Sequence, residues 1–396
     1  MMTFETRKDL FHLPEGMIYL DGNSLGPLPK AAAARVMRTL QDEWGEMVIT
    51  GWNRAGWMAQ PMALGDRIGR LIGAEPGHVT LGDTLSIKVF QALAAALAMT
   101  DRTVILSDSG NFPSDLYIAQ GLIAALGRGL ELRVVAPEAV ADQITDDVAV
   151  MMLTQVDCRT WRLHDMAHLT ARAQTKGVLT VWDLAHSAGA MDVDMAGCGA
   201  DFAVGCTYKY LNGGPGAPAF IYVAPRHAQT ARPVLAGWLG HDAPFAFEQS
   251  YRPGDGVARM RVGTPPGIQM AALDAAMDIW DGVDMAALRA ASVALTERFI
   301  AGVEAACPDL ALASPRDPAQ RGSQVSFRHP EGYAMMQACI AAGVVGDFRA
   351  PDILRFGFTP LFIDADYVDR AVAIIAGVMR DRLWDDPAFA AKAAVT

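Results

Sequence analysis

Six short apolar runs between residues 66 and 223 constrain this chain more than anything else in it. They lie at 104–107, 130–135, 148–153, 178–182, 202–206 and 219–223, are rich in Val, Ile and Leu, and alternate with helix-like segments. Strands covered on both faces read as continuous apolar runs rather than as alternating ones. The pattern therefore predicts an α/β domain around a largely parallel sheet. The segment from Leu85 carries Ile87, Val89, Phe90, Leu93 and Leu97 at helical spacing, with Asp83 and Thr84 as expected caps. From Gln269 the composition shifts to Ala-rich helical stretches at 271–280 and 285–306. Strands at 324–328 and 353–356 and a helix at 366–383 follow, which predicts a smaller α+β domain joined by an N-terminal strand at 17–20. The expected division is 1–55 for an N-terminal segment joining the small domain, 56–270 for the large α/β domain, and 271–396 for the connecting helix and small domain.

With 396 residues, 52% of them hydrophobic and 19% charged, the chain can bury more than one compact unit, in line with two domains. A net charge of −11, spread along the sequence, argues against a nucleic-acid or anionic-membrane surface. The most apolar stretches, 89–99 and 148–153, are too short to span a bilayer, and residues 1–16 mix Glu5, Arg7, Lys8, Asp9 and Glu15 with apolar residues, unlike a secretory leader. The five cysteines have no zinc-ligand spacing and no paired framework, so no metal site is expected and reduced thiols in a cytoplasm are.

Lys209 follows one of the apolar runs, within the stretch Gly205, Cys206, Thr207, Tyr208, Lys209, Tyr210, Leu211, Asn212, Gly213. Upstream, the run at 178–182 ends in Asp183, Leu184, Ala185, His186, where a parallel strand delivers side chains to a site. A lysine amine that holds an aldehyde as an imine, with a carboxylate that keeps a ring nitrogen protonated, is the pairing pyridoxal 5′-phosphate needs. The turn Gly82, Asp83, Thr84, Leu85, Ser86 offers backbone amides and hydroxyls to a phosphate at a helix start. Phe112 can lie against a planar ring and Asp115 can reach its hydroxyl edge. In the structural alternative Pro113 and Asp115 are ordinary first-turn residues. Asp183 and His186 also have structural readings, as a cap and a satisfied polar group, but two ionisable groups three residues apart at the end of a buried strand favour chemistry. Arg355, in Leu354, Arg355, Phe356, Gly357, Phe358, can clamp a carboxylate through two parallel hydrogen bonds or form a structural salt bridge.

These residues resemble one family, kynureninase, within the fold type I (PLP-dependent transferase-like) enzymes. The resemblance runs through 19–26, 52–57, 112–115, 182–189, 208–216, 237–241, 263–266 and 354–360, nearly the whole chain. It implies a large domain on a mostly parallel seven-stranded sheet with a smaller α+β domain, and a pyridoxal-phosphate hydrolase of a carbon–carbon bond in a ketonic substrate. The implied reaction converts L-kynurenine to anthranilate and L-alanine in tryptophan catabolism and NAD biosynthesis. By resemblance Lys209 holds the cofactor and moves the Cα proton, Asp183 pairs with the ring nitrogen, and Phe112 stacks on the ring with Asp115 and His186 at its edge. Leu85, Ser86, Tyr208, Trp238 and Thr264 look like phosphate ligands, the last two reaching across a homodimer interface. Tyr208 is also the candidate acid. Arg355 looks like the substrate-carboxylate arginine, with Ser24, Trp52 and Thr264 at the substrate. Trp52 and Thr264 match the bacterial type, which prefers kynurenine to its 3-hydroxy derivative. The chain departs from the family at Asp157, Cys158 and Trp161, and at Leu239 beside Trp238. The competing readings are another enzyme of this fold, a cysteine desulfurase or aminotransferase, and a catalytically dead binding module.

Overall fold

A computed structural model describes residues 4–391, so the outermost ends of the expected domains lie outside the described residues. Seven strands form the large sheet: β1 (Val79–Leu81), β2 (Val104–Asp108), β3 (Glu131–Val135), β4 (Val148–Thr154), β5 (Leu179–Asp183), β6 (Phe202–Gly205) and β7 (Phe220–Val223). Their order across the sheet is β1-β7-β6-β5-β4-β2-β3. Strands β6, β5, β4, β2 and β3 pair in parallel, and β7 runs antiparallel to both β6 and β1. The sheet has the seven strands the resemblance implies. The strand absent from the sequence reading is β1, whose three residues between Gly77 and Gly82 are too few to show a period. Strand β3 is also not covered on both faces as its apolar run suggests, because it forms the sheet edge and all its residues are partly or fully exposed.

Alternation along the central strands sends side chains to two packed layers. Val150 and Met152 of β4 face the layer under helix α1 (Leu85–Leu97), with Val89, Leu93 and Leu97, while Met151 and Leu153 face the other layer with Trp182 and Phe220. Helix α1 starts where expected, but neither predicted cap bonds its first turn. Thr84 makes no side-chain cap bond, and the Asp83 carboxylate instead meets Lys88 Nζ at 3.3 Å. The first-turn amides of α1 are thus left without a side-chain acceptor.

Past the large sheet, helix Gly267–Met277 leads to the long helix Met285–Ala306 and to a four-stranded antiparallel sheet. Its strands are β8 (Ala311–Leu312), β9 (Gln324–Arg328), β10 (Asp347–Arg349) and β11 (Ile353–Gly357), in the order β8-β9-β11-β10. The final helix, Ala365–Arg380, packs on Met285–Ala306. Near the N-terminus, Ile18–Tyr19 pairs in parallel with Val344–Val345, and Leu20 accepts a bond from the Gly357 amide. Further on, Lys30–Arg38 packs on Gly267–Met277 instead, with Arg35 Nε 3.1 Å from Asp274. No helix among the described residues is long and apolar enough to cross a membrane.

Candidate active site

Because β2, β4, β5 and β6 are parallel, their C-terminal ends share one edge of the sheet and deliver Asp108, Thr154, Asp183 and, just past β6, Lys209 to it. Asp183 is buried. Its Oδ1 accepts the Ala185 amide at 2.7 Å, and its Oδ2 lies 3.4 Å from Thr154 Oγ1, its cross-strand neighbour. Thr154 in turn donates to Asn111 Oδ1 at 2.6 Å, which also takes the Phe112 amide at 2.7 Å. This relay fixes Phe112, whose ring stays 40% exposed, at the start of the helix Pro113–Leu126. Pro113 and Asp115 do occupy the first turn of that helix, yet Asp115 is buried and its Oδ2 has no partner among the described residues. A buried carboxylate oxygen without a donor costs about 1–3 kcal/mol or more, which points to a partner supplied from outside the chain.

The charges at this edge shift one another. Burial raises the Asp183 carboxyl, opposed by Lys209, the Ala185 amide and Thr154. Asp115 is pushed well above the usual carboxylate range, first by burial and then by Asp183, against the pull of Lys209. The His186 imidazole is driven well below its ordinary value by burial and by the charges of Lys209 and Arg355, so it is neutral; its Nε2 stands 2.9 Å from Lys209 Nζ. Tyr208 has its ring 5.7 Å from the same amine, and its hydroxyl is raised by burial, by Cys206 and by Asp183. The N-terminal segment closes over this loop. Gly26 donates to the Tyr208 carbonyl at 2.9 Å, and a Cβ there would fall 2.3 Å from the Lys209 carbonyl, so only glycine permits the approach.

Arg355 approaches from β11. It is the cross-strand partner of Asp347 on β10, and its Nε and Nη2 both bond that carboxylate, while Nη1 bonds the Cys158 carbonyl. Ser24 Oγ bonds Asp347 Oδ2 at 2.6 Å and lies 3.4 Å from Arg355 Nη2. Of the two readings of Arg355, the structural salt bridge is the one present, with Asp347. A guanidinium has five N–H donors; one edge lies on Asp347, a second Nη2 proton faces Ser24 Oγ across a long 3.4 Å contact, and one Nη1 proton lies on Cys158, so one Nη1 proton is left without a partner among the described residues. Nearby Asp21 is raised to about 7, by burial and then by Asp347, with Ser24, Arg355 and Arg349 opposing. The departing segment 157–161 lines this region: the Asp157 carboxylate holds the Arg159 and Thr160 amides at 2.7 and 2.6 Å, and Trp161 packs against both Arg355 and His186.

Other expected site residues lie elsewhere. Leu85 and Ser86 open α1, with Ser86 exposed. Trp52, Trp238 and Thr264 gather with Ile49, Asn53, Met58, Leu239 and Phe245 around a separate cavity of about 320 Å³, which none of the Lys209 cluster lines. Asp347, Asn111 and Thr154 were not singled out as site residues by their sequence context. The only signal for Asp347 was an acidic residue eight positions before Arg355, which becomes meaningful once β10 and β11 form a hairpin.

Similarity to known proteins fits this geometry. The chain is 50% identical to a kynureninase of Burkholderia pseudomallei over 397 residues, covering 98% of this chain and 95% of that protein. The chain belongs to the kynureninase family. A kynureninase of Deinococcus radiodurans is likewise 50% identical over 376 residues, 93% of this chain and 92% of the relative, and the kynureninase C-terminal domain family matches residues 288–375. Among solved structures, a cysteine desulfurase from Thermococcus onnurineus superposes with a TM-score of 0.80 at 17% identity, covering 96% of this chain and all of that one. The cystine C–S lyase C-DES, in complex with its product cysteine persulfide, gives a TM-score of 0.77 at 18% identity over 91% and 98%. The kynureninase family thus shares its fold with these enzymes. The donor set here suits pyridoxal 5′-phosphate: an amine at Lys209, a buried carboxylate at Asp183, an unpartnered Asp115 oxygen, a half-open Phe112 face and the uncapped start of α1.

Proposed function

We propose that this chain uses pyridoxal 5′-phosphate to hydrolyse L-kynurenine to anthranilate and L-alanine. The observation that carries this reading is a continuous run of contacts from the amine to the arginine: Lys209 Nζ to His186 at 2.9 Å, His186 to Trp161 at 5.2 Å between ring centroids, and Trp161 to the Arg355 guanidinium at 5.0 Å. An α-amino acid presents an amine and a carboxylate together, and this wall presents a group for each.

When bound, the cofactor supplies an electron sink. Asp183 is suited to accept a bond from the ring nitrogen, and the protonated ring would reverse the penalty that burial places on that carboxylate. Phe112 covers the ring face, with Asp115 and His186 at its edge. Leu85 and Ser86, at the start of α1, and Tyr208 take the phosphate. The Lys209 amine, held 2.9 Å from the neutral His186 imidazole, removes the proton from the substrate Cα. Tyr208, whose ring stands 5.7 Å from the Lys209 amine, is the group to return a proton at the β-carbon. Arg355 and Ser24 hold the α-carboxylate.

The same reading makes the protein a homodimer in which the second copy brings Trp238 and Thr264 to the phosphate, and Trp52 and Thr264 to the substrate aryl end. It places the protein in the cytoplasm, in tryptophan catabolism and NAD biosynthesis, with the domain division 1–55, 56–270 and 271–396. Kynurenine is preferred to 3-hydroxykynurenine; equal kcat/KM for the two would contradict that. A desulfurase activity is disfavoured because Cys307 and Cys339 are buried and the Cys158 thiol is raised by burial and by Asp157.

The deciding experiment adds L-kynurenine to cofactor-loaded protein and follows substrate absorbance and anthranilate fluorescence. Equimolar anthranilate and alanine are expected. A protein that binds the cofactor but leaves kynurenine intact would overturn the assignment, and sulfide release from cysteine would favour the desulfurase.

A further inference from the structure

Trp161 is the least economical residue near the site. It is completely buried, yet its backbone sits at φ 64°, a left-handed conformation that costs a residue with a side chain about 1–2 kcal/mol. Its indole Nε1 is buried without a partner among the described residues. Neither feature improves the packing of the chain by itself. What the position achieves is contact: the ring lies 5.0 Å from the Arg355 guanidinium carbon and meets the His186 ring edge-on, at 5.2 Å and 84°.

Arg355 needs such a contact. Asp347 and the Cys158 carbonyl hold it in its own plane through one edge and one terminal nitrogen. In-plane bonds do little to stop the guanidinium tilting about the Asp347 edge. An aromatic ring against its face does, and the attraction between a cation and a ring face is strongest when both are out of water. Arg355 and Trp161 are both almost fully buried.

We infer that Trp161 is a positioning residue, whose indole face sets the tilt of Arg355 so that its free Nη1 donor, with the Nη2 donor held only by the long contact to Ser24, meets the α-carboxylate of the substrate. The inference rests on the reading of Arg355 as the carboxylate-binding group. It assigns the unusual residue of the 157–161 segment to the amino-acid end of the substrate rather than to the aryl end.

The test compares Trp161→Phe, which keeps a ring face, with Trp161→Leu, which keeps apolar bulk without one, both in cofactor-loaded protein. Two probes are titrated by the cofactor absorbance: L-alanine, which has the carboxylate, and ethylamine, which lacks it. Trp161→Leu should weaken L-alanine by about tenfold and leave ethylamine unchanged, while Trp161→Phe should weaken L-alanine by less than about threefold. With L-kynurenine, Trp161→Leu should raise KM by a similar factor and change kcat little. Both variants fill the same space less well, so a common fall in melting temperature is expected and does not bear on the outcome. Equal binding of L-alanine by the wild-type, Phe and Leu proteins overturns the inference, as does equal weakening of L-alanine and ethylamine. Arg355→Lys separates the two levels: if it leaves L-alanine binding intact, the carboxylate reading of Arg355 fails and the role of Trp161 with it. If it weakens L-alanine while Trp161→Leu does not, only the role of Trp161 fails.

Discussion

The two regions that carry the expected site residues are built in opposite ways. Around Lys209, parallel strand ends, the Thr154–Asn111 relay and the Arg355–Asp347 fork hold nearly every group by bonds within one chain, and most of those groups are buried. Around Trp238 the aromatics stand open: Trp238 is 41% exposed, Phe245 64% and Phe247 78%, with Ile49 at 73% on the facing segment. A contiguous apolar surface of this kind marks a place where something else packs. The difference teaches that bonds within the chain hold the inner cluster, whereas the rim presents open apolar surface and is where the proposed second copy would pack.

Replacing Lys209 with Ala tests the inner half most severely. Turnover should fall by at least about a thousandfold, and the cofactor absorbance should lose its lysine-bound form. Activity close to wild type would remove the inner cluster from the chemistry altogether. Next in size, Arg355→Met leaves the buried Asp347 carboxylate without its fork. A loss of about 3–5 kcal/mol in stability, read from denaturant unfolding, is expected from breaking a buried pair on one side. A loss under 1 kcal/mol would show that the fork is not the structural element it looks like.

The rim makes the contrasting prediction. Phe247→Glu should leave the melting temperature of dilute protein nearly unchanged while weakening self-association by about tenfold or more, measured by sedimentation, and activity should fall on dilution. Unchanged association would mean that this rim does not face a second copy.

The smallest effect concerns pH. Asp21 has its carboxyl raised to about 7, far above its value of 3.8 outside the fold, so the folded chain binds the extra proton between those values. Its contribution to stability is therefore full below about pH 4 and declines as pH rises toward 7. Asp21→Asn should flatten that decline, with a difference in melting temperature of about 2 °C between pH 5 and pH 7.5. Parallel curves for the variant and the wild type would place the Asp21 carboxyl outside the Asp347–Arg355 cluster.

Legibility in the sequence followed the range of the interaction. Lys209, Asp183 and His186 could be read because each lies within a few residues of an apolar strand, and strand ends in a parallel sheet share an edge. The strand 324–328 and the helix 285–306 were placed to the residue, since period and composition are local. The three-residue β1 escaped because it has no period to show. The expected caps of α1 failed because the Asp83 carboxylate found a buried ammonium at Lys88 in place of the helix amides.

By itself the sequence determined the α/β class and the kynureninase family, and it picked out Lys209 and Asp183 as candidates, because these are written in contiguous motifs and in the alternation of short apolar runs. Only the tertiary structure decided which Arg355 donors are taken, that Asp347 bonds it and Trp161 lies against it, and that Trp52, Trp238 and Thr264 gather apart from Lys209 within one chain. Those outcomes depend on distances between segments as remote as Ser24, Trp161 and Arg355, and no local period or spacing encodes them.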